Sequence, residues 1–182
     1  MTEKQVLLAA LIAPGSIEAA VGSVQAALFS VHGLASAQAL PPLVPVAFLD
    51  AAGAVGGLLP ELNRSVAAGW RMRLAGALWV DGHLYAGVES DGAWKTLRAR
   101  ALEMRGPETG CLFPVVEGFY LGCGESRPED RSGIRPAVPE LSFSSCTIAL
   151  VSVRTGFEGP EWWRDLRWEM LEERPLRGRK DR

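Results

Sequence analysis

The chain has 182 residues, of which 48% are hydrophobic and 22% are charged. That length allows one domain with a substantial core and is short for two. The 19 basic and 21 acidic residues leave a formal net charge of −2, which excludes a broadly basic nucleic-acid-binding protein but allows a local basic groove. No apolar run approaches the roughly 20 residues of a membrane-spanning helix.

Histidine and cysteine are scarce, and this limits the chemistry available to the chain. The two histidines are His32 and His83, so a mechanism with two imidazoles has to use both. The three cysteines, Cys111, Cys123 and Cys146, lack the paired close spacing of a zinc site. No glycine-rich segment leads into a phosphate-binding lysine or fits a dinucleotide fingerprint. We therefore predict no metal, no cofactor and reduced thiols in a cytoplasmic protein that does not bind membranes.

The first half of the chain is predicted to alternate strands with helices. Val6–Ile12 is an apolar run of strand length that ends before Pro14-Gly15. Because acidic Glu3 precedes this run and an amphipathic pattern follows it, we interpret it as a buried strand and not as a leader peptide. The elements that follow are a helix over 17–31 ended by Gly33, a strand over 44–49 with Pro45 inside it, and a weaker helix over 52–67.

The second half begins with a hairpin signal. Asp81-Gly82 separates two apolar segments, as is typical of a tight turn between antiparallel strands. The predicted elements are strands over 70–80 and 83–89, a helix over 93–104, a strand over 113–121, a loop over 122–139, a strand over 141–153 and a Trp-rich helix over 160–170. This order predicts an α+β fold with two similar halves. One domain would span residues 1–176, with a basic tail over 177–182.

Several segments carry a resemblance to a known family. Val46–Asp50 is similar to that family's Leu-Ala-Phe-Leu-Gly strand, and Phe113–Val116 to the strand that bears its second motif. Residues 78–89 are similar to its central hairpin, and 148–163 to its terminal strand and turn. Together they resemble the two-histidine (2H) phosphoesterase superfamily, especially its 2′–5′ RNA ligase and RNA 2′,3′-cyclic phosphodiesterase branch. The resemblance implies a bilobal, pseudo-twofold fold with two antiparallel sheets facing a central cleft and helices outside.

The same resemblance implies two His-x-Thr/Ser motifs, one in each lobe. One histidine would remove a proton, the other would deliver one, and the hydroxyls would hold the phosphate. In this chain those positions fall on Leu43-Val44-Pro45 and on Val115-Val116-Glu117, so both motifs are degenerate. Leucine and valine cannot transfer a proton, and Glu117 would repel a phosphate. Neither His32 nor His83 is followed by the hydroxyl residue that the motif requires.

Three hypotheses follow. The first is a non-catalytic relative of this superfamily, which binds a nucleotide, an RNA end or another small ligand in a cleft lined by Leu43, Pro45, Val115, Glu117 and Tyr120, or which serves as a scaffold. The apolar replacements favour a less polar ligand or a closed cleft. The second is an active phosphodiesterase or RNA ligase with relocated groups, such as His83 with Glu117, which would both have to point into one cleft. The third is an unrelated α+β domain.

Overall fold

The computed structural model describes residues 4–50, 56–66, 70–108, 110–124, 133–156 and 161–177. The elements in chain order are β1 (Lys4–Ile12), α1 (Gly15–His32), a 3₁₀ turn (Ala35–Gln38), β2 (Leu43–Leu49), α2 (Leu58–Ser65), β3 (Met72–Val80), β4 (His83–Ser90), α3 (Ala93–Arg105), β5 (Gly118–Cys123), β6 (Ser142–Phe143), β7 (Ser145–Thr155) and β8 (Arg167–Arg177). None of the helices in these ranges is long and apolar enough to cross a membrane.

The strands form two four-stranded antiparallel sheets, which confirms the predicted α+β architecture. The first sheet has the order β2-β1-β7-β8 and the second has the order β5-β4-β3-β6. Side chains alternate between the two faces of a strand. Along β1, Leu7 and Leu11 pack with the helices, whereas Val6 and Leu8 face the other sheet. Burial on both faces explains why β1 is a continuous apolar run in the sequence.

The two halves of the chain repeat one arrangement, with β1-α1-β2 matching β4-α3-β5. Both repeats contain a β-bulge at the same place. The β1–β2 register skips Val46, and the β4–β5 register skips Leu121. The residues immediately before these bulges, Pro45 and Tyr120, therefore hold equivalent positions. Pro45 lies on an edge strand beside a bulge, where its missing N–H is tolerated.

The helix of each half is hydrogen-bonded to the edge strand of the other half. The indole Nε1 of Trp94 in α3 donates to the carbonyl of Pro45 at 2.9 Å. The amide Nε2 of Gln25 in α1 donates to the carbonyl of Tyr120 at 3.1 Å. The two equivalent carbonyls, of Pro45 and Tyr120, thus each accept a hydrogen bond from the helix of the other half. These two bonds hold the halves of the chain together.

The last predicted helix is wrong. Residues 161–165 form a turn, and β8 follows and pairs with β7 over Ser145–Arg154. A long neighbouring strand offers a hydrogen-bond ladder that outweighs the weak helical spacing of the tryptophans. Arg177, assigned above to a tail, is the last residue of β8, and residues 178–182 lie outside the described residues.

Two further predictions differ in extent. The strand expected from Phe113 begins at Gly118 and includes Gly122 and Cys123, which were assigned to a loop. The helix expected over 52–67 is limited to α2, and residues 51–55 and 67–69 lie outside the described residues. The same holds for 125–132 within the predicted loop.

Candidate functional site

In the part of the chain that the structure describes, side chains from both sheets pack together in the space between them. Both sheets and three connecting segments contribute to one buried cluster, the cleft core, which consists of Val6, Leu8, Ala10, Leu40, Leu43, Phe48, Tyr85, Phe113, Tyr120, Ala149, Val151, Val153 and Trp162. A second buried cluster joins the outer faces of the sheets to the three helices. The faces that the resemblance implied would line a cleft therefore pack against one another.

Aromatic rings form the centre of the cleft core. The ring centroid of Phe113 lies 4.5 Å from that of Tyr120, 5.0 Å from that of Phe48 and 5.3 Å from that of Trp162. The rings of Tyr85 and Tyr120 meet edge to face at 5.6 Å. These separations are those of directly packed aromatic pairs. Phe113 thus connects β2 of the first sheet to β5 of the second.

Leu43 and Pro45 are fully covered by this packing. Leu43 is in the cleft core with none of its surface exposed, and Pro45 is buried two residues further along β2. Because Pro45 is equivalent to Tyr120, Leu43 is equivalent to Gly118, two residues before Tyr120. The internal repeat therefore pairs Leu43 and Pro45 with Gly118 and Tyr120, three residues beyond the pair chosen from the sequence.

Gly118 has no room for a side chain. A Cβ atom there would lie 2.9 Å from the carbonyl oxygen of Ala86, 3.2 Å from the Cβ of Tyr85 and 3.3 Å from the Cα of Gly87. Two of these three atoms belong to the backbone of β4. A histidine at this position would require β4 and β5 to move apart.

Tyr85 is held firmly beside Gly118. Its Oη donates a hydrogen bond to the carbonyl of Pro114 at 2.5 Å. Burial raises the pKa of Tyr85 far above its usual value of 10.0. The phenol therefore remains neutral at any physiological pH and acts as a structural donor that ties the segment before β5 to β4.

Val115 and Glu117 lie before β5, in a segment without regular structure. Val115 is half-buried and packs against both hydrophobic clusters. The Glu117 carboxylate accepts a short hydrogen bond from the hydroxyl of Ser90 at the end of β4. Ser90 shares its face of β4 with Ala86 and with other residues of the outer cluster. Glu117 is thus engaged on the helix side of the second sheet.

His83 lies at the opposite end of β4. Its half-buried ring is 6.0 Å from the ring of Tyr120 and 6.3 Å from that of Phe113. His83 and Ser90 are the first and last residues of β4, which separates them by roughly 23 Å along the strand. The structure therefore brings His83 together with Tyr120 and keeps both apart from Glu117.

Of the residues that fill the cleft, Leu43 and Tyr120 were predicted from the sequence to lie there, whereas Tyr85, Phe113 and Trp162 were not. Tyr85 and Phe113 were noted only within the hairpin and the second-motif strand that carry the resemblance, and Trp162 was assigned to the Trp-rich helix. The signal available in the sequence was the apolar character of the motif positions Leu43, Pro45 and Val115. Within the described ranges, no group of three His, Cys, Asp or Glu side chains is placed to hold a metal ion.

A partly buried ion pair between Arg98 and Glu108 binds the backbone of β2. Arg98 of α3 binds Glu108 through two contacts, at 2.6 and 3.0 Å, and its Nη1 also donates to the carbonyl of Val46 at 2.8 Å. The Glu108 carboxylate accepts from the backbone N–H of Phe48 at 3.0 Å. This network satisfies backbone groups around the bulge of β2, on an edge that has no further strand.

A groove of about 440 Å³ runs beside α1, away from the cleft core. Its lining is formed by one face of α1 and the last residues of the predicted loop: Ala20, Ser23, Val24, Ala27, Leu28, Val31, His32, Pro136, Ala137 and Pro139. Residues 19–31 include no Asp, Glu, Lys or Arg, and Val31 is 72% exposed. The equivalent helix α3 exposes charged residues such as Lys95 and Glu103. Of these two equivalent helices, α1 therefore presents the apolar surface and α3 a charged one.

Comparison with known proteins shows which solved structures share this architecture. No family model matches the chain, and no curated protein matches it either. Among solved structures, E. coli LigT complexed with 3′-AMP superposes with a TM-score of 0.55, covering 94% of this chain and 98% of LigT at 15% identity. The chain has the LigT fold.

Other structures with the LigT fold give the same result. A crystal structure described as a phosphoesterase has a TM-score of 0.57 and 15% identity, covering 96% of this chain and 99% of its own. E. coli LigT complexed with NADP⁺ gives a TM-score of 0.54 over 94% of this chain and 98% of LigT, also at 15% identity. At this identity the likeness establishes the fold alone.

Proposed function

We propose that this chain is a non-catalytic relative of the 2H phosphoesterases that kept the LigT fold and turned the cleft into core. The observation that supports this proposal most directly is the lack of space for a side chain at Gly118. If the internal repeat marks the motif positions, the second histidine would fall where a Cβ would lie 2.9 Å from a backbone oxygen. The first would fall on the fully buried Leu43.

Loss of both proton-transfer groups removes the standard reaction. Neither Leu43 with Gly118 nor Leu43 with Val115 provides an acid or a base, so the conclusion holds for either alignment of the second motif. Proton transfer by a positioned side chain contributes about 10²- to 10⁴-fold to a rate. Without two such groups, the residual hydrolysis of a cyclic phosphate should not exceed background.

Nucleotide binding in the cleft is the less favoured form of this proposal. Its support is the likeness to LigT, which is complexed with 3′-AMP in one solved structure and with NADP⁺ in another. In this chain Phe48, Tyr120 and Phe113 take up the space between the sheets. A nucleotide would have to displace directly packed aromatic rings. We therefore favour a scaffold or binding role at surfaces outside the cleft.

The alternative is an enzyme with relocated groups. It requires His83 and Glu117 to reach one phosphate. The Ser90 hydroxyl that binds Glu117 is roughly 23 Å along β4 from His83, far beyond hydrogen-bond reach of a common atom. This separation supports the non-catalytic proposal over the alternative.

Hydrolysis of an oligonucleotide ending in a 2′,3′-cyclic phosphate tests the proposal. The purified chain is assayed beside a His83→Ala, Glu117→Ala double variant. We expect no turnover above background in either protein. Turnover by the parent that the double variant loses would place the chemistry on those residues. Equal turnover by both would place it on other residues, and either result would reject the non-catalytic function.

A further inference from the structure

Two arginines stand side by side on the outer face of the first sheet. Arg154 of β7 pairs directly with Gln5 of β1 on one side and with Arg167 of β8 on the other. The three paired residues form a row across the sheet, near the end of β7 and the start of β8. Residues in such positions have Cβ atoms about 4.5–5.5 Å apart, so the guanidinium groups share one small region.

Neither arginine forms an ion pair with a described residue. In the part of the chain that the structure describes, no carboxylate lies within ion-pair distance of Arg154 or Arg167. By contrast, Arg174 on the same strand is paired with Glu172 at 3.0 Å. Like charges directly opposite each other destabilise a sheet. An unpaired cross-strand arginine pair is therefore a local cost that a bound anion would relieve.

The arginines border a polar pocket of about 210 Å³. Its lining consists of Ser152, Arg154, Arg167, Trp168 and Glu169. Ser152 is only 2% exposed, and its oxygen accepts a hydrogen bond from Nε2 of Gln5 at 3.1 Å. The proton of that hydroxyl is left to donate. Two guanidinium groups and a fixed hydroxyl donor thus converge on one concave site.

We propose that this arginine pocket binds the phosphoryl group of a small phosphate ester. Each guanidinium presents a planar fork of N–H donors that matches two phosphate oxygens, and Ser152 supplies a further donor. Glu169 pairs with Ser152 across the strands and brings one carboxylate to the edge of the pocket. That carboxylate accepts a hydrogen bond from a hydroxyl group, so the pocket prefers an ester with a hydroxyl near its phosphate over inorganic phosphate. The pocket is independent of the function proposed above.

Isothermal titration at low ionic strength tests the pocket, with glycerol 3-phosphate and inorganic phosphate as separate probes. The full chain is compared with Arg154→Ala and Arg167→Ala. Arg174→Ala is the matched control, because it removes an exposed arginine from the same strand. We expect glycerol 3-phosphate to bind the parent and the control equally, and to bind each pocket variant at least about tenfold more weakly.

Two further variants keep the test decisive if an alanine variant folds poorly. Arg154→Lys retains the positive charge but loses the planar pair of N–H donors of the guanidinium group. It should weaken binding less than Arg154→Ala does. Glu169→Gln should narrow the preference for glycerol 3-phosphate over inorganic phosphate. Absence of binding to the parent, or equal affinity in the parent and both arginine variants, would overturn the proposal.

Discussion

Tyr85 and Gly118 are packed so closely that the second has no space for a side chain. A Cβ at Gly118 would lie 3.2 Å from the Cβ of Tyr85 and 2.9 Å from the carbonyl oxygen of Ala86. The hydrogen bond from Tyr85 to Pro114 holds the phenol in place. This contact closes the second half of the cleft at the position equivalent to Leu43, and several predictions depend on it or on its surroundings.

Gly118→Ala should destabilise the protein by about 1–3 kcal/mol. The added methyl group meets backbone atoms on the neighbouring strand, which cannot rotate away as a side chain can. Urea unfolding measures the change. Gly15→Ala is the control, because a Cβ at Gly15 meets nothing within 4 Å, and its effect should stay within about 0.5 kcal/mol. Equal stability of Gly118→Ala and the parent would show that β5 does not approach β4 so closely.

Tyr85→Phe should lower the free energy of unfolding by about 0.5–1.5 kcal/mol near pH 7, through loss of the hydrogen bond to Pro114. The pKa of Tyr85 is raised in the folded protein, so its contribution is complete below pH 10 and falls as the pH rises beyond that value. The gap between parent and variant should therefore be constant from pH 7 to 9 and shrink above about pH 10. A gap that widens at high pH would contradict the raised pKa.

Glu108→Gln should cost about 1–3 kcal/mol, because it leaves the partly buried Arg98 without a charged partner. The comparison variant is Glu89→Gln, which breaks the solvent-exposed pair with Arg73 and should leave stability unchanged within error. Thermal unfolding of both variants at one pH gives the comparison. Equal effects of the two substitutions would mean that the Glu108 network does not support β2.

Cys111 should be the one thiol of the native protein that reacts readily with iodoacetamide. It is exposed, whereas Cys123 and Cys146 are buried, and burial raises the pKa of Cys146 to about 12. Partial burial and the nearby Glu108 also raise the pKa of Cys111 above 9.0, so its reaction should accelerate as the pH approaches and passes that value. Peptide mass mapping identifies the modified residue. Rapid labelling of a second cysteine without denaturant would indicate that the core opens.

Much of the fold could be predicted because its pattern is local. The continuous apolar run of β1 indicates burial on both faces, and Asp81-Gly82 marks the hairpin through two residues with positive φ, 47° and 80°. β8 could not be predicted in the same way. A bulge at Leu171 breaks its alternation, and Pro175 lies inside it, so the segment does not read as a strand until β7 is present to pair with it.

The candidate site could be predicted only in part. The apolar character of Leu43 and Pro45 is visible in the sequence. The partner positions are not, because Phe113-Pro114 lies before β5 and gives no register for it. Equivalence of Tyr120 to Pro45 rests on two bulges in separate ladders, which depend on pairing between distant segments. The closure at Gly118 depends on the close approach of β5 to β4, which is also a contact between segments distant in the sequence.

Chemical-shift mapping with 3′-AMP tests most directly whether the cleft is a packed core. The ¹⁵N-labelled chain is titrated with millimolar 3′-AMP while the backbone amides of residues 43–49 and 118–123 are followed. Pro45 has no N–H and is not observed. We predict that the remaining amides of these two ranges do not shift, and that any shifts lie near Arg154 and Arg167 on the outer face. Saturable shifts concentrated on β2 and β5 would show that a nucleotide enters between the sheets, and would contradict a closed cleft.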